Sequence, residues 1–282
     1  MKIIFCGSSS FSGYHFLTEL NKKKIECHAI FTKKKKFYRF ENQKKILNFK
    51  FNYINPHVNI KFGSKNFIDI IKTKKINTLC FHHFVVGNLN TKYNLNQNLN
   101  KLLKNIDEVI YNLSFNKTPL LIYTSSIYQK ISLLNGYKLD ESRINYGFAK
   151  TIVSNVISYL CKKHKVKFID FELQNPIGCF EKRSSLPSYT ASCFFKKKEI
   201  KINNPNRLFE FQFIEKIAKD YYKSIITGKK VNSKYIKSSV KNFKIVFLKN
   251  FTKLKNRKKT SSLWKKYYIY YKKLNENKKN QN

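Results

Sequence analysis

The sequence predicts an α/β fold: a Rossmann-type, doubly wound parallel sheet followed by a small C-terminal lobe. Short, wholly apolar runs alternate with stretches whose apolar residues recur at helical spacing, the pattern of strands buried between helices. The first of these runs passes directly into a glycine-bearing turn and then a helix. At 42% hydrophobic and 16% aromatic residues over 282 positions, the chain can bury a substantial core in one or two domains.

Residues 2–6 are a buried strand ending at Gly7, and residues 8–13 form the turn. Residues 14–21 place Phe16, Leu17 and Leu20 on one helical face. Residues 25–32 read as the second strand, followed by the charge run 33–36, and a third strand is expected over residues 58–62. Phe67, Ile70 and Ile71 mark a helix over 66–74; residues 78–83 are the fourth strand. One long helix is expected over 99–113, then a fifth strand at 120–124, a helix over 146–164 and a strand at 167–173. Asn175-Pro176-Ile177-Gly178 breaks that strand. Segments 190–195, 200–202 and 211–226 mix helix and strand signals. Three parts follow: a dinucleotide-binding domain over 1–170, a small lobe over 171–250 partly interleaved with the sheet, and a Lys-rich tail over 251–282. The last ten residues of the tail are expected to be disordered.

The net charge of +41 invites a polyanion partner. Yet the basic residues are 52 Lys and only 5 Arg, in a chain also rich in Asn, Ile, Phe and Tyr. Selection for forked phosphate or base recognition would favour Arg, so the excess reads as a coding bias toward A and T and nucleic acid is not the expected partner. No apolar run is long enough for a transmembrane helix, and no secretory leader is recognised, so no membrane partner is expected. Six scattered cysteines without a CxxC pair or zinc spacing suggest a reduced, cytoplasmic setting.

Three motifs carry chemistry. In Cys6-Gly7-Ser8-Ser9-Ser10-Phe11-Ser12-Gly13, a strand, a glycine turn and a helix start can present N–H groups to a pyrophosphate, although Ser10 stands where a middle glycine is usual. At the end of the second strand Thr32 and Lys33 replace the acidic residue that would hold a ribose 2′-hydroxyl. A cation there leans toward a 2′-phosphate, hence NADPH, unless it is one more piece of the lysine excess. Tyr146 and Lys150 lie four apart on a helix, where an ammonium favours an ionised phenol and so a general acid or base. The spacing alone recurs by chance in such a chain, at Tyr159/Lys163 and Tyr268/Lys272. Position after the fifth strand selects Tyr146. Finally, Tyr123-Thr124-Ser125-Ser126-Ile127-Tyr128 sets hydroxyls at a strand's carboxyl end, where open parallel sheets bind ligands.

In this order, and with Asn175-Pro176-Ile177-Gly178, the motifs resemble those of the extended short-chain dehydrogenase/reductase family, the NAD-dependent epimerases and dehydratases that modify nucleotide sugars. MKIIFCGSSSFSGYHFLTEL is similar to that family's first strand, turn and helix, YTSSIYQK to its hydroxyl-bearing strand end, and INYGFAK to its Tyr-x-x-x-Lys helix. NPIG and NRLFEFQFIEKIA resemble later segments, so the likeness spans roughly residues 1–228. The resemblance implies NAD(P), with the lean to NADPH, a nucleoside-diphosphate sugar substrate and a small substrate-binding lobe. Tyr146 would be general acid or base, and Lys150 would hold the nicotinamide ribose. Thr124 would be the assisting hydroxyl, with Ser125 the runner-up. Gly7, Ser10, Phe11 and Gly13 would lie along the dinucleotide, Ser125 and Ser126 near the sugar, and Asn175 and Arg207 near its diphosphate. No metal is implied, and a homodimer through the helices near 99–113 and 146–164 is.

Departures narrow the chemistry. Ser126 stands where one epimerase subgroup has Cys, and no His follows Asn175, which counts against double epimerisation. Ser125-Ser126 lacks the dehydratases' Asp-Glu pair. A 4-keto-sugar reductase or a 4-epimerase remains; the rival reading is a non-catalytic member of the fold that binds RNA or protein through its basic surface. His82 and His83 read as structural, and the stripe Trp264, Tyr267, Tyr268, Tyr270 and Tyr271 as the inner face of a C-terminal helix.

Overall fold

The computed structural model describes residues 1–48, 51–84, 94–131, 141–182 and 185–279. They fall into two compact units, one of residues 1–173 and 218–233, the other of residues 174–217 and 234–282.

The first unit is built on β1 (Ile3–Cys6), α1 (Phe11–Lys22), β2 (Cys27–Phe31), α2 (Glu41–Leu47), β3 (Ile54–Val58), α3 (Lys65–Thr73) and β4 (Thr78–Phe81). α4 (Leu95–Leu102), α5 (Ile106–Ser114), β5 (Leu120–Ser126), α6 (Tyr128–Ile131), α7 (Glu141–Lys163) and β6 (Lys167–Leu173) complete its sheet and cover. All six strands pair in parallel in the order β3-β2-β1-β4-β5-β6, the doubly wound Rossmann arrangement expected. Ile4, Cys6, Leu79, Phe81, Leu121 and Tyr123 pack on one face against α3, α5 and α7. On the other face Phe5 meets Phe16 of α1, and Tyr221 stacks on Phe16 at 4.2 Å.

Among the boundaries that differ from the expectation, two have a backbone cause. The third strand is Ile54–Val58 rather than 58–62. Pro56 is tolerated because β3 is an edge strand, and Asn59 at φ 60° turns the chain out of the ladder. The single helix expected over 99–113 is two, because Asn105 adopts φ 51° where the chain passes Gly63. A Cβ on Gly63 would lie 1.9 Å from the Lys104 carbonyl oxygen, and Asn105 Nδ2 donates to the Gly63 carbonyl.

The second unit holds β7 (Pro176–Ile177), α8 (Leu186–Lys196) and β8 (Leu208–Phe213). After α9 (Ile214–Thr227), whose residues from Ala218 onward belong to the first unit, come β9 (Ile236–Ser239), α10 (Val240–Lys255) and α11 (Ser262–Lys279). β8 pairs parallel with β7 and antiparallel with β9; residues 200–202 belong to no element. The stretch from Lys249 onward, expected as a tail, is folded: Phe243, Phe247 and Phe251 of α10 meet Trp264, Tyr267 and Tyr271 of α11 in one aromatic core. Burying large rings on both helices supplies the driving force that a lysine-rich composition conceals. The helix reaches Lys279, so the disorder expected for the last ten residues is not found in the seven described; the last three lie outside the described residues.

Within this core Glu181 is buried and accepts from the hydroxyls of Tyr267 and Tyr271, while Ser188 bonds Tyr271. Burial pushes its carboxyl up to about 8, against the opposing effect of those hydroxyls. The fold therefore holds the neutral acid: this contribution is complete below the usual carboxylate range and is lost as pH rises through about 8. Urea midpoints measured across pH 5–8 should fall with rising pH by up to about 1.4 kcal/mol per unit, and Glu181→Gln should flatten that dependence.

Candidate functional site

At the carboxyl end of β1 the chain turns through Gly7 at φ +90°. A Cβ there would lie 2.5 Å from the His82 carbonyl oxygen, and one on Gly13 would lie 2.4 Å from the Gly7 carbonyl oxygen. Glycine at both places lets β1, β4 and the first turn of α1 approach at backbone distance. Ser10 caps α1, its hydroxyl accepting from Gly13 N–H at 2.9 Å, so the residue that departs from the glycine pattern satisfies one of the helix's end donors. Phe11 opens α1 with its ring against His15. The turn is tied to α2 by Gln43, which donates to the Ser9 carbonyl. Close backbone approach at a helix N-terminus fits a pyrophosphate.

The end of β2 is held open. Lys33 N–H donates to the Tyr38 hydroxyl, its carbonyl accepts from Asn59, and its side chain is exposed beside half-buried Thr32.

His82 ties the end of β4 to α1. Its Nε2 is 2.7 Å from Ser12 Oγ, its ring lies against Phe5 and Phe16, and its buried Nδ1 has no hydrogen-bond partner among the described residues. Burial first, and then the charges of Lys150 and His83, lower it to about 3; burial and Lys150 lower His83 to about 4. Both rings are therefore neutral near pH 7.

Lys150 is 4% exposed and donates from Nζ to the Thr124 carbonyl at 2.6 Å. Its ammonium lies 4.2 Å from the centre of the Phe84 ring, 5.0 Å from that of Tyr123 and 6.0 Å from that of Tyr146. Burial lowers its pKa to about 7, and Asp170, which accepts from Ser154, opposes that shift. Tyr146 sits inside α7, which begins at Glu141 rather than at Tyr146 as expected, and its ring meets Phe84 and Tyr128 edge-on. The Tyr146/Lys150 pair is thus brought together at the end of β5. Phe84, Asp170 and Gln129, which bonds both Ser126 N–H and the Lys150 carbonyl, complete its surroundings. No spacing rule marks these three, because they reach the pair through the fold alone.

The strand-end hydroxyls divide by face. Tyr123 bonds the Lys150 carbonyl at 3.0 Å, so it faces α7. Its neighbour Thr124 is in register with Phe171 and faces the other side, where Phe171 packs on Tyr221 and the Tyr221 hydroxyl interacts with Thr124. The expectation that the Thr124 hydroxyl assists Tyr146 is therefore corrected: strand alternation turns it away and leaves only its carbonyl for Lys150. Ser125, two residues from Tyr123, shares the face of α7 and is 6% exposed, while Ser126 ends the strand and is partly exposed. Asn175 and Arg207 belong to the second unit and are both exposed; Asn175 Nδ2 donates to the Glu210 carbonyl. No cluster of metal-ligating side chains occurs among the described residues.

No family model matches the sequence, and neither does any curated protein sequence. Solved structures match the fold. A UDP-glucuronic acid 4-epimerase from Bacillus cereus, in complex with UDP-glucuronic acid and NAD, is 13% identical with a TM-score of 0.69, over 97% of this chain and 100% of that one. A UDP-N-acetylglucosamine 4-epimerase from Methanobrevibacter ruminantium, in complex with UDP-N-acetylmuramic acid, is 12% identical at a TM-score of 0.72, over 93% and 83%. The Bordetella bronchiseptica enzyme WbmF in complex with NAD+ is 11% identical at 0.65, over 89% and 78%. At such identities the likeness is one of fold: the Rossmann-type α/β fold that the sequence predicts is the fold found.

Because the Phe84 ring covers the ammonium, Phe84→Ala should admit water and raise the Lys150 pKa from about 7 toward the usual lysine range. Reductive methylation followed by peptide mass spectrometry across pH should then show the midpoint of Lys150 modification moving to higher pH, with the other lysines unmoved.

Proposed function

We propose that this protein binds NAD and a nucleoside-diphosphate sugar and inverts the sugar at carbon 4. The observation that carries the reading is the pairing of Tyr146 with the buried Lys150, together with a turn whose glycines, Gly7 and Gly13, let backbone approach backbone. Support comes from the solved structures of the same fold that are described as 4-epimerases and as NAD complexes. The Bacillus cereus epimerase and WbmF are described as complexes with NAD, so the lean to NADPH is dropped in favour of NAD.

When bound, the nicotinamide supplies reversible hydride transfer. Gly7, Ser10, Phe11 and Gly13 seat the pyrophosphate at the start of α1, and Thr32 and Lys33 border the adenosine ribose. Lys150 leaves the Thr124 carbonyl to hold the nicotinamide ribose and gives the Tyr146 phenol a cationic neighbour. Tyr146 takes the proton from the sugar 4-hydroxyl and later returns it to the same oxygen, once the 4-keto group has presented its opposite face for reduction. Ser125, rather than Thr124, holds that oxygen, with Ser126 beside it; Asn175 and Arg207 are assigned to the diphosphate. Epimerisation is preferred to net reduction of a 4-keto sugar because the described structures of this fold include two kinds of 4-epimerase.

A homodimer is part of the same reading. On α7, Phe148, Ile152 and Tyr159 recur at helical spacing on the outer face, 38%, 38% and 69% exposed, and Tyr111 and Phe115 of α5 are 48% and 68% exposed. Such aromatic and aliphatic stripes are suited to a two-fold helix interface.

Two measurements test these readings. Fluorescence titration with NADH should give saturable binding to wild type and to Tyr146→Phe, lost in Gly13→Trp; no binding to wild type at millimolar nucleotide would leave the non-catalytic reading. Light scattering after size exclusion should give a dimer that Ile152→Glu/Tyr159→Glu converts to a monomer.

A further inference from the structure

From Val240 to Asn275 every charged residue is a Lys or Arg. A coding bias explains why lysine replaces arginine throughout the chain; it does not remove carboxylates, which the first unit uses freely at Glu19, Glu26, Glu41, Asp69 and Asp107. The acid-free run extends from Tyr221 to Asn275, and it takes in all of α10 and most of α11.

Both helices spend their aromatic residues inward, so their outer faces are defined by what remains. On α10 that is Lys241, Ile245 and Lys249 at four-residue spacing, with Val246 alongside; on α11 it is Lys265, Ile269 and Lys273 at the same spacing. Ile245, Val246 and Ile269 are 53%, 45% and 42% exposed. The connecting turn adds exposed Arg257, Lys258 and Lys259. Two cations of the pair are neutralised locally, Lys266 by Glu215 and Lys272 by Glu276. Each helix thus repeats one arrangement, an aliphatic side chain between lysines; α10 carries no acid, and on α11 the one acid, Glu276, lies two turns beyond Ile269 and pairs with Lys272.

We propose that the outer faces of α10 and α11 dock on an anionic membrane surface, their lysines against acidic phospholipid headgroups and Ile245, Val246 and Ile269 between them. Lysine, a flexible point charge, suits mobile headgroups, whereas nucleic acid favours forked Arg contacts and exposed rings for stacking. This surface has one Arg, and the Trp264, Tyr267 and Tyr271 rings are buried. Exposed aliphatics gain by entering the boundary between headgroup and acyl chain and gain nothing against a phosphodiester backbone. No helix among the described residues is long and apolar enough to cross a membrane, so the association is peripheral and weakens with salt.

The test is co-sedimentation of the full chain with phosphatidylcholine vesicles, with and without phosphatidylglycerol. Wild type should bind only the anionic vesicles. Lys241→Gln/Lys249→Gln/Lys265→Gln/Lys273→Gln should lose roughly two to three orders of magnitude in affinity, at about five-fold per lysine. Lys22→Gln/Lys44→Gln/Lys65→Gln/Lys117→Gln, with the same net charge, should lose less than about ten-fold. Ile245→Asn/Ile269→Asn, checked for folding by circular dichroism, should also weaken binding. Absence of binding to anionic vesicles overturns the proposal, as do equal losses in the two lysine variants, which would assign the effect to overall charge. If the isoleucine variant binds vesicles as wild type does, and the α10–α11 lysine variant loses duplex or single-stranded RNA equally, the surface belongs to nucleic acid and the proposal fails.

Discussion

Lys150 carries a positive charge, or the means to hold one, into a place almost without water, and much of the first unit is arranged to tolerate it. One hydrogen bond reaches the Thr124 carbonyl, three aromatic rings surround the ammonium, and Asp170 contributes charge from β6. A buried cation with so few partners has a strongly lowered pKa, and a lysine near 7 responds to small changes around it. Retaining such a group costs stability that an aliphatic residue would not, which is a physical reason to look for function there. The neutral histidines at the end of β4 and the glycine turn of β1 lie in the same neighbourhood, so the cost falls where a parallel sheet binds its ligands.

The first unit was largely legible in the sequence, because its strands are wholly buried and its turns depend on glycine. Ile3–Cys6, Cys27–Phe31 and Thr78–Phe81 are buried throughout and mostly apolar, a signal that survives any coding bias in the surface. What was not legible depended on backbone conformation at asparagines: Asn59 and Asn105 adopt left-handed φ and so move a strand end and split a helix. In an Asn-rich chain such positions carry no distinguishing mark. The second unit was obscured differently. Its core residues are aromatic and lie within runs of lysine, so composition suggested a tail, although the stripe at positions 264, 267 and 271 already marked the inner face of a C-terminal helix.

At the site, the Tyr-x-x-x-Lys spacing marks two residues that the fold brings together, whereas β5 turns the Thr124 hydroxyl to the other layer. A sheet exposes alternate residues on opposite faces, and a one-residue difference moves a side chain to the other layer. Tyr123 anchors the register by bonding the Lys150 carbonyl, which makes Thr124 a core residue and Ser125 the hydroxyl on the face of α7. Phe84, which covers the lysine, reaches it from a strand end distant in sequence, beyond any local pattern.

The central claim is that Tyr146 and Lys150 support hydride transfer at a sugar carbon, and the most direct measurement is the near-ultraviolet absorbance of reduced nicotinamide on the protein. NAD-loaded wild type would be mixed in turn with UDP-glucose, UDP-glucuronic acid and UDP-N-acetylglucosamine. The account predicts that at least one sugar generates bound reduced nicotinamide in wild type and not in Tyr146→Phe. Unchanged absorbance with every sugar, on protein shown to hold NAD, would contradict it.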